Sequence, residues 1–284
     1  MAPPADLKAG ETRTGRPTLA ERLGHAPGDR LLIVNCDDLG SSHAANRACL
    51  TAMTRGLATG ASLMVPCPWA PEAVRLLGDL PVGVHLTLTS EYAGYRWRGL
   101  TAGASLHDGD GFLWASREEA LGRIAAADAH AEARAQIAAA LAWGVDVTHL
   151  DTHMDVLLGR PDLRAVYLDL AAEFRLPLRL ASDAARQAAR ARGLLCADAL
   201  LYPWPNRTRQ VLLAEIPHLA PGVTEVFAHP AEPGPELAGY DPRHAALRGH
   251  DAACLTDPEI ATLLALHRVR RISHRALRDL QRAG

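Results

Sequence analysis

Residues 31–40 read Leu31-Leu32-Ile33-Val34-Asn35-Cys36-Asp37-Asp38-Leu39-Gly40, an apolar run that ends in two carboxylates and a glycine. A short stretch of Leu, Ile and Val without polar alternation is the pattern of a strand covered on both faces, as in a parallel sheet. Ser41 or Ser42 then offers a cap for a helix over 43–55, so the segment is a strand, a turn and a helix. In α/β folds the carboxyl ends of strands hold ligands and metals, because the loops there are free while the sheet fixes their origin. The Asp pair therefore marks a catalytic site, although one of its carboxylates could instead cap the helix.

The alternation continues outward. Strands are expected at 61–65, 82–88, 147–151, 178–180, 196–200, 224–228 and 269–272, with helices at 71–77, 116–143, 161–174, 183–192, 207–216, 258–267 and from Arg275 onward. Seven or eight such units in 284 residues favour an α/β fold, an irregular (β/α) TIM-like barrel of mostly parallel strands in a single domain. Residues 1–29, rich in Ala, Pro, Gly and charge, are expected to form a partly flexible tail with one short helix at 19–23, leaving 30–284 as the barrel domain. The irregular stretch 89–114 is long for a connection and carries Tyr92, Tyr95, Trp97 and Trp114, which are expected to wall the substrate.

Composition narrows the function. A formal charge of −2 leaves no basic footprint for nucleic acid. No uncharged apolar run approaches a membrane span, and Met1-Ala-Pro-Pro-Ala-Asp-Leu-Lys has no apolar leader core. The five cysteines, Cys36, Cys49, Cys67, Cys196 and Cys254, include no CxxC pair and are odd in number, as expected of reduced thiols in a cytoplasmic protein. There is no GxSxG, P-loop, HExxH or strand-linked GxGxxG. Cys36 is a poor nucleophile candidate, since two neighbouring carboxylates disfavour its thiolate.

Three histidines join the Asp pair at expected strand ends. His85 follows Val82-Gly83-Val84, His153 follows Val147-Thr148-His149-Leu150-Asp151-Thr152, and His229 follows Thr224-Glu225-Val226-Phe227-Ala228. A barrel gathers these ends on one face, so Asp38, His85 and His153 would form a mixed Asp, His, His set. One carboxylate and two imidazoles hold a metal while leaving positions open for water and substrate, the condition for metal-assisted hydrolysis. His149, Asp151 and His153 all lie at odd positions of one strand, and spacing alone does not choose the ligand among them. Asp151 could orient an imidazole by accepting its spare N–H, and His149 lies deeper in the strand.

Several segments together resemble the YdjC-like carbohydrate deacetylases, relatives of the polysaccharide deacetylases. They are Val34-Asn35-Cys36-Asp37-Asp38-Leu39-Gly40 with Asn46, Ala61-Ser62-Leu63-Met64-Val65, Gly83-Val84-His85-Leu86-Thr87-Leu88-Thr89, Thr148-His149-Leu150-Asp151-Thr152-His153, and Thr224-Glu225-Val226-Phe227-Ala228-His229-Pro230. The resemblance covers about 31–275 and implies one divalent metal, zinc or magnesium, held by Asp38, His85 and His153. By the same resemblance Asp37 is the general base and His229 the general acid. Cys36 stands where Ala is usual and Thr152 for Ser. Met154-Asp155-Val156 replaces the histidine cluster of the chitooligosaccharide-type members.

The implied activity is metal-dependent removal of an N-acetyl group from an amino-sugar-containing substrate. The partner is then a small N-acetylated sugar or glycoconjugate, not nucleic acid, and a homodimer is compatible with this. The same ligands would also suit another metal-dependent amidase or phosphoesterase, and a catalytically silent sugar- or metal-binding protein is the reading from a different class.

Overall fold

The computed structural model describes residues 17–205 and 208–284. Seven strands run β1 (Arg30–Leu39), β2 (Gly60–Leu63), β3 (Val82–Leu86), β4 (Val147–Thr152), β5 (Ala199–Leu201), β6 (Gly222–Ala228) and β7 (Val269–Arg271). All pairings are parallel, in the order β4-β3-β2-β1-β6-β5. β7 lies beside the first three residues of β1, and β2 takes over the pairing from Asn35 onward. The result is a single α/β domain built on a curled parallel sheet, of the class its alternating pattern indicates.

The expected strand 178–180 contributes only an isolated bridge, Leu150 to Leu178. Its backbone is nevertheless held on both sides, since Leu178 N–H donates to the Leu195 carbonyl and Arg179 N–H to that of Leu150 in β4. Pro177 limits this segment's ladder, because it has no N–H to give. The bridge is what carries Arg179 to the top of the sheet.

β1 shows how the interior is laid out. Leu32, Val34 and Cys36 pack in the main core beneath the helices, whereas Leu31 and Ile33 join Ala20, Val223 and Leu277 in a second cluster. Higher on that inner side come the buried polar residues Asn35 and Asp37. The floor is thus apolar and the upper half polar. Gly83 is required there, because a Cβ would stand 2.3 Å from the His149 ring.

Most helices fall where the pattern places them, for example His43–Arg55 and Pro161–Phe174. The single helix expected over 116–143 is instead two, Arg117–Arg123 and Ala126–Ala142. Ile124 and Ala125 turn extended between them, and the Ala125 N–H donates to Ser105 Oγ at 2.9 Å. Gly122 weakens the helix just before the break, and the tertiary contact with Ser105 holds it. Helices Pro235–Tyr240 and Ala245–Cys254 lie in a stretch for which no element was expected.

Of the tail expected over 1–29, residues 1–16 lie outside the described residues. The short helix is present as Leu19–Arg22, closed by a capping box between Thr18 and Glu21, with Ala20 in the second apolar cluster. The helix expected from 207 begins at Thr208 among the described residues. No described helix is long and apolar enough to cross a membrane.

Candidate metal centre and proton-transfer site

Successive strand residues point to opposite faces, so adjacent carboxylates should not share a site. The end of β1 escapes this rule through an irregularity in its pairing with β2 between Cys36 and Leu39, where Asp38 takes left-handed backbone at φ 60°. Asp is one of the few side chains that tolerates this region. Gly40 continues the turn at φ 90°, where a Cβ would meet Leu63 and Ala70 at 3.0–3.1 Å. Asn46 accepts from the Gly40 N–H at 2.8 Å, and Ser42, not an Asp, caps the following helix through the Ala45 N–H. Both carboxylates are thereby free to line one cavity of about 900 Å³ with His85, His153 and His229.

Asp38 Oδ1 lies 3.3 Å from His85 Nε2 and 3.2 Å from His153 Nδ1, and these two nitrogens are 3.3 Å apart. The second nitrogen of each ring is committed. His85 Nδ1 donates to Asp151 Oδ1 at 2.6 Å, and His153 Nε2 donates to Glu91 Oε1 at 3.0 Å, since a carboxylate only accepts. Two imidazole lone pairs and a carboxylate oxygen therefore converge within one triangle, and Asp38 Oδ1 is buried without a hydrogen-bond donor. Atoms about 2.1 Å from one ion stand roughly 3.0–3.4 Å from each other in tetrahedral or octahedral geometry, so the edges fit a single divalent metal. The ligand atoms of a second buried set, Asp37, His85 and Asp151, also lie close enough together to hold an ion. The second set shares its histidine with the first and already contains the Arg179 cation, which leaves the first as the metal candidate.

The electrostatics agree. Burial alone would keep the imidazoles neutral, yet the Asp151 and Asp38 carboxylates push His85 well up, and Glu91 and Asp38 push His153 to about 9. Burial likewise opposes ionisation of Asp38, but Arg248 and the two histidines hold its carboxyl well below the usual range. A field that draws protons onto both histidines also favours a cation between them. Arg248 donates to Asp38 Oδ2 at 2.8 Å and is itself held by Asp241 and the Tyr92 hydroxyl.

Asp37 is held differently. Arg179 donates to both of its oxygens, at 2.6 and 2.8 Å, and Asn35 adds a bond at 2.9 Å. The same guanidinium donates to Glu225 at 2.6 Å and lies 3.1 Å from Asp151 Oδ2. One buried cation therefore orients three carboxylates, including the one that fixes the His85 tautomer. His229 Nε2 is 3.9 Å from Asp37 Oδ2, with its ring against Trp204, and burial lowers its affinity for a proton.

Asp151 thus fills the orienting role that its strand position allowed, and His149 is a core residue stacked on His274 at 3.7 Å. Replacing Asp151 by Asn is expected to weaken zinc binding by about 10- to 100-fold, measured by competition with a chromophoric chelator. Unchanged affinity would remove Asp151 from the support of the candidate metal site.

One expectation is corrected. Of the four loop aromatics, only Tyr92 lines the cavity; Trp97 and Trp114 spend their indole N–H groups on Thr89 and Ser105 carbonyls and pack the loop itself. The wall is completed by Tyr202, Trp204, Phe227 and Tyr240, together with His244, whose sequence setting gives it no place in the site. Cys36 is buried against Cys49, whose hydrogen bond and the surrounding burial push its thiol up, so it offers no thiolate. Arg179, Arg248 and Glu91 went unnoticed in the sequence. Only Arg179 carried a signal, as a lone charge inside the apolar run Leu176-Pro-Leu-Arg-Leu180.

The sequence profile described as YdjC-like protein matches residues 31–266. The chain is 37% identical over 263 residues to the carbohydrate deacetylase of Thermus thermophilus, covering 87% of this chain and 94% of that protein. It is 32% identical over 252 residues to the carbohydrate deacetylase of Geobacillus stearothermophilus, covering 87% and 97% respectively. A crystal structure of an Enterococcus faecalis protein named for cellobiose-phosphate cleavage superposes with a TM-score of 0.79 at 24% identity, over 88% of this chain and 99% of that one, and shares the fold.

Proposed function

The chain belongs to the YdjC-like family, and from that premise we propose that it is a metal-dependent N-deacetylase of amino-sugar-containing substrates. The observation that carries this reading is the convergence of Asp38, His85 and His153 on one point beside Asp37, with His229 Nε2 in the same cavity 3.9 Å from Asp37. The carbohydrate deacetylases it resembles support a sugar substrate.

Asp38, His85 and His153 would hold the ion, and two imidazole donors favour zinc over magnesium. When bound, the ion supplies Lewis-acid polarisation of the acetamide carbonyl and stabilises the charge that develops on its oxygen. Asp37 takes a proton from the attacking water through a carboxylate oxygen whose orientation Arg179 and Asn35 fix. His229 Nε2, near that oxygen, passes a proton to the nitrogen as the C–N bond breaks, because an unprotonated amine is a poor leaving group. Burial keeps this imidazole neutral before turnover, so it must first collect the proton it delivers. Water and amide become acetate and free amine, with no atom unaccounted for. The five cysteines, all buried and free, suit a reducing compartment such as the cytoplasm.

Incubating the purified protein with N-acetylated amino sugars should release acetate and amine in equal amounts, read by coupled acetate assay and mass spectrometry. Phosphate release from sugar phosphates without acetate release from any acetylated sugar would instead identify a phosphoesterase.

A further inference from the structure

Directly after His153, two consecutive residues that are not glycine, Met154 and Asp155, hold left-handed backbone at φ 52° each. Residues with a Cβ adopt this region at a cost the surroundings must offset, and such outliers gather where a site needs a side chain aimed. Here the half-buried Asp155 carboxyl is turned into the cavity, where its Oδ2 accepts from the Tyr202 hydroxyl at 3.2 Å. Among the described residues no hydrogen bond or ion pair engages its other oxygen. Tyr202 is 55% exposed and Met154 39%, although both line this cavity.

The pair lies on the wall that carries the proton donor. Tyr202 packs edge-on to Phe227 with ring centres 4.9 Å apart, and Phe227 packs edge-on to His229 at 5.5 Å. In the deacetylation described above the amine departs toward His229, so the sugar ring attached to it must rest against this wall. We propose that Asp155, oriented by Tyr202, is a specificity-determining residue that accepts hydroxyl groups of the ring bearing the acetamide. The inference rests on the deacetylase reading. A carboxylate with a vacant oxygen binds hydroxyl donors and repels a phosphate, so the favoured substrates present free hydroxyls beside the acetamide.

The test compares the unmutated protein with Asp155→Asn and Asp155→Gly, using N-acetylglucosamine for kinetics and glucosamine titrated by tryptophan fluorescence, to which Trp204 in the wall contributes. Both variants should raise KM and the glucosamine Kd about tenfold or more, with kcat changed by less than about threefold. Asp155→Gly should melt no lower than the unmutated protein, because glycine accepts left-handed backbone without strain. Unchanged KM and Kd in folded variants would overturn the proposal, as would losses of affinity and melting temperature that run in parallel in both. Absence of acetate release by the unmutated protein refutes the deacetylase reading alone; the glucosamine titration then still decides whether Asp155 binds sugar, and no binding by the unmutated protein counts against it.

Discussion

Replacing Asp37 by Asn is expected to lower kcat for acetate release by about a hundredfold or more, while metal content and KM stay close to those of the unmutated protein. The substitution keeps the shape of the side chain and one carbonyl oxygen for the Arg179 fork, but removes the basic oxygen proposed to take the water's proton. Asp37 is not in the triangle formed by Asp38, His85 and His153, so the ion should remain. Activity near the unmutated level would remove Asp37 from proton transfer. Loss of metal together with activity would make it a ligand.

The largest expected effect on stability comes from Arg179. Its side chain is buried, and so are those of Asp37, Asp151 and Glu225, which it holds together. Arg179→Met would leave three carboxylates in the barrel without their shared cation. Removing one partner of a buried charge network costs about 3–5 kcal/mol, because the remaining charge has lost both water and counter-ion. For a domain of this size the melting temperature should fall by at least roughly 6 °C in a thermal scan. A variant that melts within a degree or two of the unmutated protein would mean that the three carboxylates find compensation elsewhere. Exposed pairs such as Arg134–Glu173 should show no comparable sensitivity.

What could be read from the sequence and what could not divide along physical lines. The strand, turn and helix around Asp37 and Asp38 were legible because burial on both faces writes an unbroken apolar run, and Ser42 writes the cap. His85, His153 and His229 were legible as strand-end residues, and the barrel assumption was enough to bring them together. The irregularity at Asp38 was not, since it is a property of pairing with β2 rather than of local residue preference. Arg248 reaches the site from the helix Ala245–Cys254, whose residues show no feature that marks them for a place 210 positions away in the chain, beside Asp38. The break at Ile124 and Ala125 escaped for the same reason: the contact with Ser105 that stabilises it is tertiary. Loop aromatics misled because Trp97 and Trp114 satisfy their own loop before any ligand.

Asp38, His85 and His153 are proposed to hold a metal on which amide hydrolysis depends. This is tested most directly by measuring metal content and acetate release on the same sample, before chelation, after it, and after zinc is restored. Acetate release should fall to background in the metal-free protein and return as about one zinc per chain is taken up. Undiminished acetate release from protein shown to be free of metal would contradict the account.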